Sequence, residues 1–106
     1  MNTGYQITFY TQGDRFHHEH YITEFLLSEA KAEGIRGATV IHGAQGVGHD
    51  GRRHAAGFWE NSDAPVMVTM VCAGDEVRRL LARLREHKVK VFFTRIAVEY
   101  ETLGVD

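Results

Sequence analysis

The sequence has little of two residues that impose a special architecture, cysteine and proline. Among its 106 residues it holds one cysteine, Cys72, and one proline, Pro65. A single cysteine excludes a disulfide within the chain. Its place in the largely apolar run 66–72 predicts a buried thiol, because free cysteine behaves as a small hydrophobic residue. Proline is tolerated in a strand mainly at its start, so Pro65 marks the first residue of a predicted strand.

The chain also lacks a large excess of either sign of charge, and it lacks long apolar runs. Lys and Arg number 12, Asp and Glu number 14, and the formal net charge is -2. No block of like charge occurs, so a basic face for nucleic acid is not expected. No apolar run approaches the roughly 20 residues that cross a bilayer. Residues 1–14 lack the cationic flank and apolar core of a signal peptide. These absences predict a cytoplasmic protein without a nucleic-acid partner.

The remaining composition is typical of an ordinary globular domain. Hydrophobic residues make up 43% and charged residues 25% of the chain, as in folded soluble proteins. A length of 106 residues suits a single domain, since domains commonly run about 50–200 residues. No internal repeat or linker interrupts the pattern. We therefore expect residues 1–106 to form one domain.

Hydrophobic spacing predicts the element order β-α-β-β-α-β. Residues 5–10 alternate apolar and polar side chains, as a half-buried strand does. Helical spacing begins at about His17 and stops at Gly34, a typical helix end. A second helix opens near Asp75, and its arginines are expected on the solvated face. Its apolar stripe consists of Val77, Leu80, Leu81 and Leu84. The other predicted elements are strands over residues 37–42, 65–72 and 91–100 and a short extended return over residues 55–60.

This order predicts an α+β ferredoxin-like sandwich, with two helices on one face of a four-stranded antiparallel sheet. The strand over residues 37–42 is nearly all small or β-branched, which favours a central strand buried on both faces. The last strand carries apolar side chains on both sides. Two helices cover only one face, so we expect a second copy of the chain to cover the other by sheet-on-sheet oligomerisation.

Glycine is locally abundant after the strand over residues 37–42. Gly43, Gly46, Gly48 and Gly51 follow one another closely and are succeeded by two arginines. Glycine adopts positive φ without strain and lets a ligand approach the bare backbone. Such a loop can offer N–H groups and cations to an anion, but its spacing matches neither the P-loop nor the dinucleotide GxGxxG motif.

Seven histidines raise a metal-binding hypothesis. His17, His18 and His20 cluster at the start of the predicted first helix, where His20 and Glu24 would lie one turn apart. Zinc normally takes three or four ligands, and this segment supplies two well-oriented ones, so a polar helix start is the simpler interpretation. Two histidines of the glycine-rich loop offer an alternative, because they could meet their symmetry mates at a trimer axis.

Catalytic patterns are weak. No Ser-His-Asp, Cys-His or paired-carboxylate arrangement has a convincing local context, and Cys72 lacks the electropositive setting of a reactive thiolate. Asp14 and Glu24 near the first helix are explained by the favourable effect of carboxylates at a helix N-terminus. We therefore expect a protein that is not an enzyme and assign no catalytic residue.

Three segments together resemble the small PII-like proteins. The stretch GIRGATVIHGAQGVG, residues 34–48, resembles their glycine, alanine, threonine, valine and spaced-glycine signature, and the group concerned is known as domain of unknown function number one hundred and ninety. GDRFHHEHYITEFLLSEAKAEGI resembles the family's loop and first helix, and Asp63-Ala64-Pro65-Val66 resembles its entry to the third strand. The resemblance implies a ferredoxin-like fold, a trimer, and adenine-nucleotide binding between subunits.

The resemblance also implies where the nucleotide lies. PII-like trimers bind it in a cleft bordered by the long loop after the second strand, here residues 43–54, and by the turn before the last strand, here residues 86–93. Lys90 matches the phosphate-binding lysine of that turn, although the glycines that precede it in PII proteins are missing. The candidate nucleotide-binding residues are Gly37, Gly43, Gly46, Gly48, Arg52, Arg53, Lys88 and Lys90.

The leading functional hypothesis is therefore a PII-like signalling homotrimer that binds AMP or ADP as an effector, with no cofactor. Nucleotide binding would order residues 43–54, which would then present a different surface to a partner such as a membrane transporter. One alternative is a histidine-liganded metal-binding trimer that resembles the divalent-cation-tolerance proteins. A third is a small enzyme with its site at a subunit interface.

Overall fold

The computed structural model describes residues 1–47, 53–55 and 64–104, with only the backbone described at 45–47 and 53–55. These residues contain two helices and both long and very short strands. In chain order the elements are β1 (Asn2–Gln12), β2 (Phe16–His17), β3 (His20–Tyr21), α1 (Ile22–Ala32), β4 (Ala38–His42), β5 (Gln45–Val47), β6 (Arg53–Ala55), β7 (Pro65–Ala73), α2 (Gly74–Glu86) and β8 (Phe92–Tyr100).

The main sheet has four antiparallel strands in the order β4-β7-β1-β8. In β1, Phe9 lies opposite Val68 of β7 on one side and Phe93 of β8 on the other. Both helices pack against the same face of this sheet and share one core with it. The predicted α+β sandwich is therefore confirmed, and β7 begins at Pro65 as predicted.

The core lies between the sheet and the helices, because alternate strand residues point to the same face. Ile7, Phe9 and Val68 are fully buried there. Burying a large apolar side chain stabilises the fold by about 1.5–3 kcal/mol. The helices contribute buried apolar residues at helical spacing, namely Ile22, Leu26, Ala30, Val77, Leu80, Leu81 and Leu84. The predicted stripe of α2 is thus confirmed.

Cys72 is buried at the end of β7, as predicted. Burial raises the pKa of its thiol to about 11, and the charge of Glu76 adds to the rise. The thiol therefore stays protonated at neutral pH and is not a nucleophile.

The arginines of α2 lie on its solvent-facing side, as predicted, and two of them also pair with carboxylates of α1. Arg83 Nη2 donates to Glu29 Oε2 at 3.2 Å, and Arg79 Nε donates to Glu33 Oε1 at 2.9 Å. Glu29 is only 8% exposed, and an unpaired carboxylate there would be costly. Hydrogen bonds to these glutamates raise the pKa of both guanidiniums. Two arginines therefore tie α2 to α1.

The predicted start of the first helix at about His17 is wrong, because α1 begins at Ile22. His18 adopts a positive φ of 56°, which reverses the chain between β2 and β3. The resulting hairpin places Phe16 opposite Tyr21. It closes where the Ile22 N–H donates to the carbonyl oxygen of Arg15 at 2.9 Å.

The prediction that residues 37–42 form a central strand buried on both faces is also wrong. β4 is an edge strand that pairs with β7 along its length, and most of its residues are exposed. Small and β-branched residues fit any pleated surface, so their presence does not distinguish an edge strand from a central one.

The glycine-rich segment is partly a two-stranded ribbon rather than a loop throughout. β5 and β6 pair antiparallel, with Gln45 opposite Ala55 and Val47 opposite Arg53. Residues 48–52 lie outside the described part of the chain. So do residues 56–63, which include most of the predicted extended return.

The sheet face that points away from the helices carries several exposed apolar side chains on either side of a row of threonines formed by Thr39, Thr69, Thr8 and Thr94. Residues directly opposite each other in neighbouring antiparallel strands share a face. The strand register therefore identifies the residues that lie on this open face. Ile96, midway along the edge strand β8, is 58% exposed. The other exposed large apolar residues of the open face are Tyr10, Ile41, Val71 and Phe92.

Candidate functional site

The turn between α2 and β8 is one of the two predicted borders of the nucleotide site. The Val89 N–H donates to Leu84 O and the Lys88 N–H donates to Arg85 O, each at 3.0 Å, which together form a Schellman helix end. Lys88 occupies the left-handed position of this motif, with φ at 57°. Glycine normally fills that position. We call residues 87–91 the cationic turn.

The cationic turn exposes both of its predicted lysines. Lys88 and Lys90 lie at the surface, so each ammonium group is accessible to an anion. A lysine acts on phosphate as a flexible point charge rather than as a bidentate partner. The structure thus brings Lys88 and Lys90 into one short turn, as the sequence predicts.

Arg15 is a further cation at this turn, and the sequence pattern did not reveal it. Its Nη2 donates to the backbone oxygen of Lys90 at 3.1 Å. A guanidinium carries five N–H donors and suits phosphate oxygens. The contact joins residues 75 positions apart, and no local pattern in the sequence signals it.

The predicted glycines flank β4, at the other edge of the sheet. Gly37 precedes the strand, and apart from its own chain neighbours no described residue has an atom within 4 Å of where its Cβ would be. Gly43 follows the strand and donates its N–H to Pro65 O at 2.8 Å. Of the loop residues, Gly46 and Arg53 are described by their backbone alone, and Gly48 and Arg52 lie outside the described residues.

The two predicted borders of the site lie at the same end of the sheet but on opposite edges. β4 ends next to the start of β7, and β8 starts next to the end of β1. Three strand spacings separate β4 from β8, which amounts to roughly 15 Å. One chain therefore does not bring Gly43 and Lys90 together in a small-molecule site.

A histidine cluster lies beside the cationic turn. The Phe25 ring contacts the rings of His17 and His87, at centroid distances of 4.5 and 5.4 Å. His17 also contacts His18, with the two ring centroids 4.3 Å apart. Burial lowers the pKa of His17, and the charges of His18, His87 and His20 lower it further.

The histidine cluster does not have the arrangement that the alternative metal-binding interpretation requires. His20 lies in β3, ahead of the helix, so it is not one helical turn from Glu24. Across the described residues, no three His, Cys, Asp or Glu side chains are placed to hold a metal ion. His87 Nε2 instead lies 3.1 Å from Glu29 Oε1. The nearby carboxylate thus faces an imidazole and an arginine rather than a common metal position.

A separate groove of about 510 Å³ lies at the other end of the sheet, beside the start of α2. A Cβ at Gly4, within it, would collide with the backbone oxygen of Cys72. Nearby, the guanidinium of Arg95 lies 4.9 Å from the centre of the Tyr5 ring. The groove is remote from the cationic turn because β1 runs the length of the sheet between them. Its lining residues are Thr3, Gly4, Tyr5, Gly74, Ala97, Val98 and Glu99.

No described helix is long and apolar enough to cross a membrane. No curated protein matches the chain significantly.

Solved structures show the same fold over most of the chain. A putative PII-like signalling protein from Thermus thermophilus is 17% identical, with a TM-score of 0.63 and coverage of 92% of this chain and 91% of that one. CPII, a nitrogen regulatory PII-like protein from Thiomonas intermedia K12 bound to ADP, AMP and bicarbonate, is 21% identical, with a TM-score of 0.60 and coverage of 91% and 88%. The apo form of CPII is 20% identical, with a TM-score of 0.53 and coverage of 91% of both chains.

The sequence itself matches a family model over residues 4–100. That family is DUF190, described as uncharacterised ACR. The match spans nearly the whole sheet and both helices, and the structural neighbours are PII-like proteins. The chain therefore belongs to the DUF190 family and has a PII-like fold.

Proposed function

We propose that this protein is a PII-like regulatory protein that binds an adenine nucleotide, AMP or ADP, between the subunits of a homotrimer. The observation that carries the proposal is the convergence of Lys88, Lys90 and Arg15 at the cationic turn, where Arg15 donates to Lys90 O. Three cations at one exposed turn suit a phosphate group. CPII, which shares the fold, binds ADP and AMP.

The placement of the predicted residues supports a site between subunits. Gly43 and Lys90 lie on opposite edges of the sheet, roughly 15 Å apart. A neighbouring subunit can supply the β4 edge to the cationic turn if subunits are arranged around an axis. The exposed apolar side chains of the open face support such an assembly, because large apolar side chains grouped at a surface mark an interaction surface.

Regulation requires that the nucleotide favour one conformation over another. The segment that follows β4, residues 43–54, is the proposed responsive element, because it forms one border of the proposed site. Nucleotide contacts with Arg52 or Arg53 would change the surface that this segment shows to a partner such as a membrane transporter. We propose this regulatory role, rather than a catalytic one, and a cytoplasmic location.

Calorimetric titration with AMP, ADP and ATP tests the proposal. The parent protein should bind at least one of them, and Lys90→Ala should bind it about ten- to hundred-fold more weakly, because hydrogen bonds to charged groups contribute about 1.5–3 kcal/mol. Arg53→Ala tests the loop in the same way. Arg78→Ala is the matched control, since Arg78 is exposed on α2 outside the cationic turn. A parent protein that binds none of the three nucleotides would overturn the proposal.

A further inference from the structure

The hairpin formed by β2 and β3 presents two different sides. His17 and His20 face each other in register, and the His17 ring packs against Phe25 of α1. Phe16 and Tyr21 form the other opposite pair. Successive strand residues point to opposite sides, so this aromatic pair points away from α1. Phe16 is accordingly 54% exposed and Tyr21 45% exposed.

The two rings of the aromatic pair stack on each other. Their centroids are 4.4 Å apart, and their planes make an angle of 29°. Stacking covers one face of each ring and leaves an outer face to which a third planar group can add. Nucleobases stack favourably on aromatic side chains because every base has a π-face. The aromatic pair is therefore suited to a flat heteroaromatic ligand.

Cations adjoin the aromatic pair. Arg15 directly precedes Phe16, and its side chain donates to Lys90 O at 3.1 Å. Its backbone oxygen accepts from Ile22 N–H and so closes the hairpin. One residue thus fixes the base of the hairpin and holds it beside the cationic turn. A flat apolar surface and a group of cations lie next to each other as a result.

We propose that the aromatic pair stacks the adenine base of the bound nucleotide, while Arg15 and the lysines of the cationic turn hold its phosphate. This inference rests on the proposed function and assigns base-recognising residues to that site. A nucleotide uses both halves of the surface, since it joins a planar base to an anion. An apolar protein segment would cover the rings and leave the adjoining cations without a counter-charge.

Titration of the intact protein with AMP and with ribose 5-phosphate separates base contacts from phosphate contacts. Phe16→Leu and Tyr21→Leu keep an apolar side chain but remove a ring. Each is expected to weaken AMP binding by about five- to 150-fold and to leave ribose 5-phosphate binding unchanged. Arg15→Gln should weaken both ligands. Leu103→Ala, which truncates an exposed apolar side chain in the C-terminal tail, is the control and should change neither.

A 2-aminopurine nucleotide gives a direct measurement in the unmodified protein, because stacking quenches its fluorescence. Quenching in the parent that is lost in Phe16→Leu is the expected result, and the parent measurement holds even where a variant fails to fold. Nucleotide binding without quenching, together with equal AMP affinities in both leucine variants, would overturn this inference and leave the proposed function standing. A parent protein that binds no nucleotide would overturn both.

Discussion

Lys88 holds a backbone conformation that suits glycine better than lysine. Its φ of 57° costs an L-residue about 1–2 kcal/mol relative to a right-handed conformation. Lys88→Gly should therefore raise the free energy of unfolding. The expected gain is only about 1 kcal/mol, because the larger loss of backbone entropy when glycine folds offsets part of it. Urea denaturation measures the change.

The first helix supplies a matched control for Lys88. Gly34 occupies the same position of a Schellman motif, with φ at 79°. Apart from its chain neighbours, no described residue has an atom within 4 Å of where its Cβ would be. Gly34→Lys should lower the free energy of unfolding by a similar amount. If Lys88→Gly is instead less stable than the parent protein, the lysine side chain makes a stabilising contact that outweighs the cost of its backbone conformation.

His17 should make stability depend on pH. Its folded pKa lies below the ordinary histidine value of 6.5, so the folded state binds a proton less readily than the unfolded state. The free energy of unfolding should therefore be constant above about pH 7 and fall as the pH drops through 6.5. His17→Gln should reduce the difference between the free energies of unfolding that urea denaturation measures at pH 7.5 and at pH 5.5.

The neighbours of His17 contribute to the same pH response. His18, His20 and His87 lower its pKa through their charges, while Glu29 lies beside His87. His42→Gln is a suitable control because His42 is exposed on β4, away from the cluster. A loss of stability at pH 5.5 that is equal in the parent and His17→Gln would place the responsible group elsewhere.

At the scale of elements, the sequence predicts those helices and strands whose hydrophobic residues recur at a regular local spacing. The alternation in β1 and the apolar stripe of α2 identify those elements because burial on one face requires that spacing. The start of α1 is not predictable in this way, since the chain reverses at His18, which carries no glycine or proline signal. The edge position of β4 and the Arg15–Lys90 contact depend on long-range pairing, which no local pattern encodes.

The β5–β6 ribbon and the cationic turn should respond together to nucleotide. Saturating ADP is expected to slow hydrogen exchange in peptides that cover residues 43–55 and 86–92, because ligand contacts order both borders of the site. Peptides from the centre of α2 serve as the internal control. Slowing in residues 86–92 alone would remove the glycine-rich segment from the site, and no change in either would argue for a static scaffold.

At the scale of the whole molecule, the open face of the sheet should hold the subunits together. The parent protein is expected to sediment as a trimer at micromolar concentration. Ile96→Glu, on the β8 edge of that face, should yield monomers, because a carboxylate buried without a partner in the subunit interface costs several kcal/mol. Leu103→Glu places the same charge on a residue that is 86% exposed and should leave the trimer intact. A parent that sediments as a stable monomer would contradict this prediction.

Because Gly43 and Lys90 lie on opposite edges of one sheet, the proposed nucleotide site needs residues from two chains. A site completed by two chains exists only in proportion to the assembled fraction, so ligand occupancy and assembly are linked by mass action. Diluting the protein should weaken its apparent affinity for nucleotide, and adding nucleotide should slow the dissociation of the subunits. By reciprocity, the factor by which the ligand favours assembly equals the factor by which assembly favours the ligand. The protein would thus report its own abundance together with that of the nucleotide.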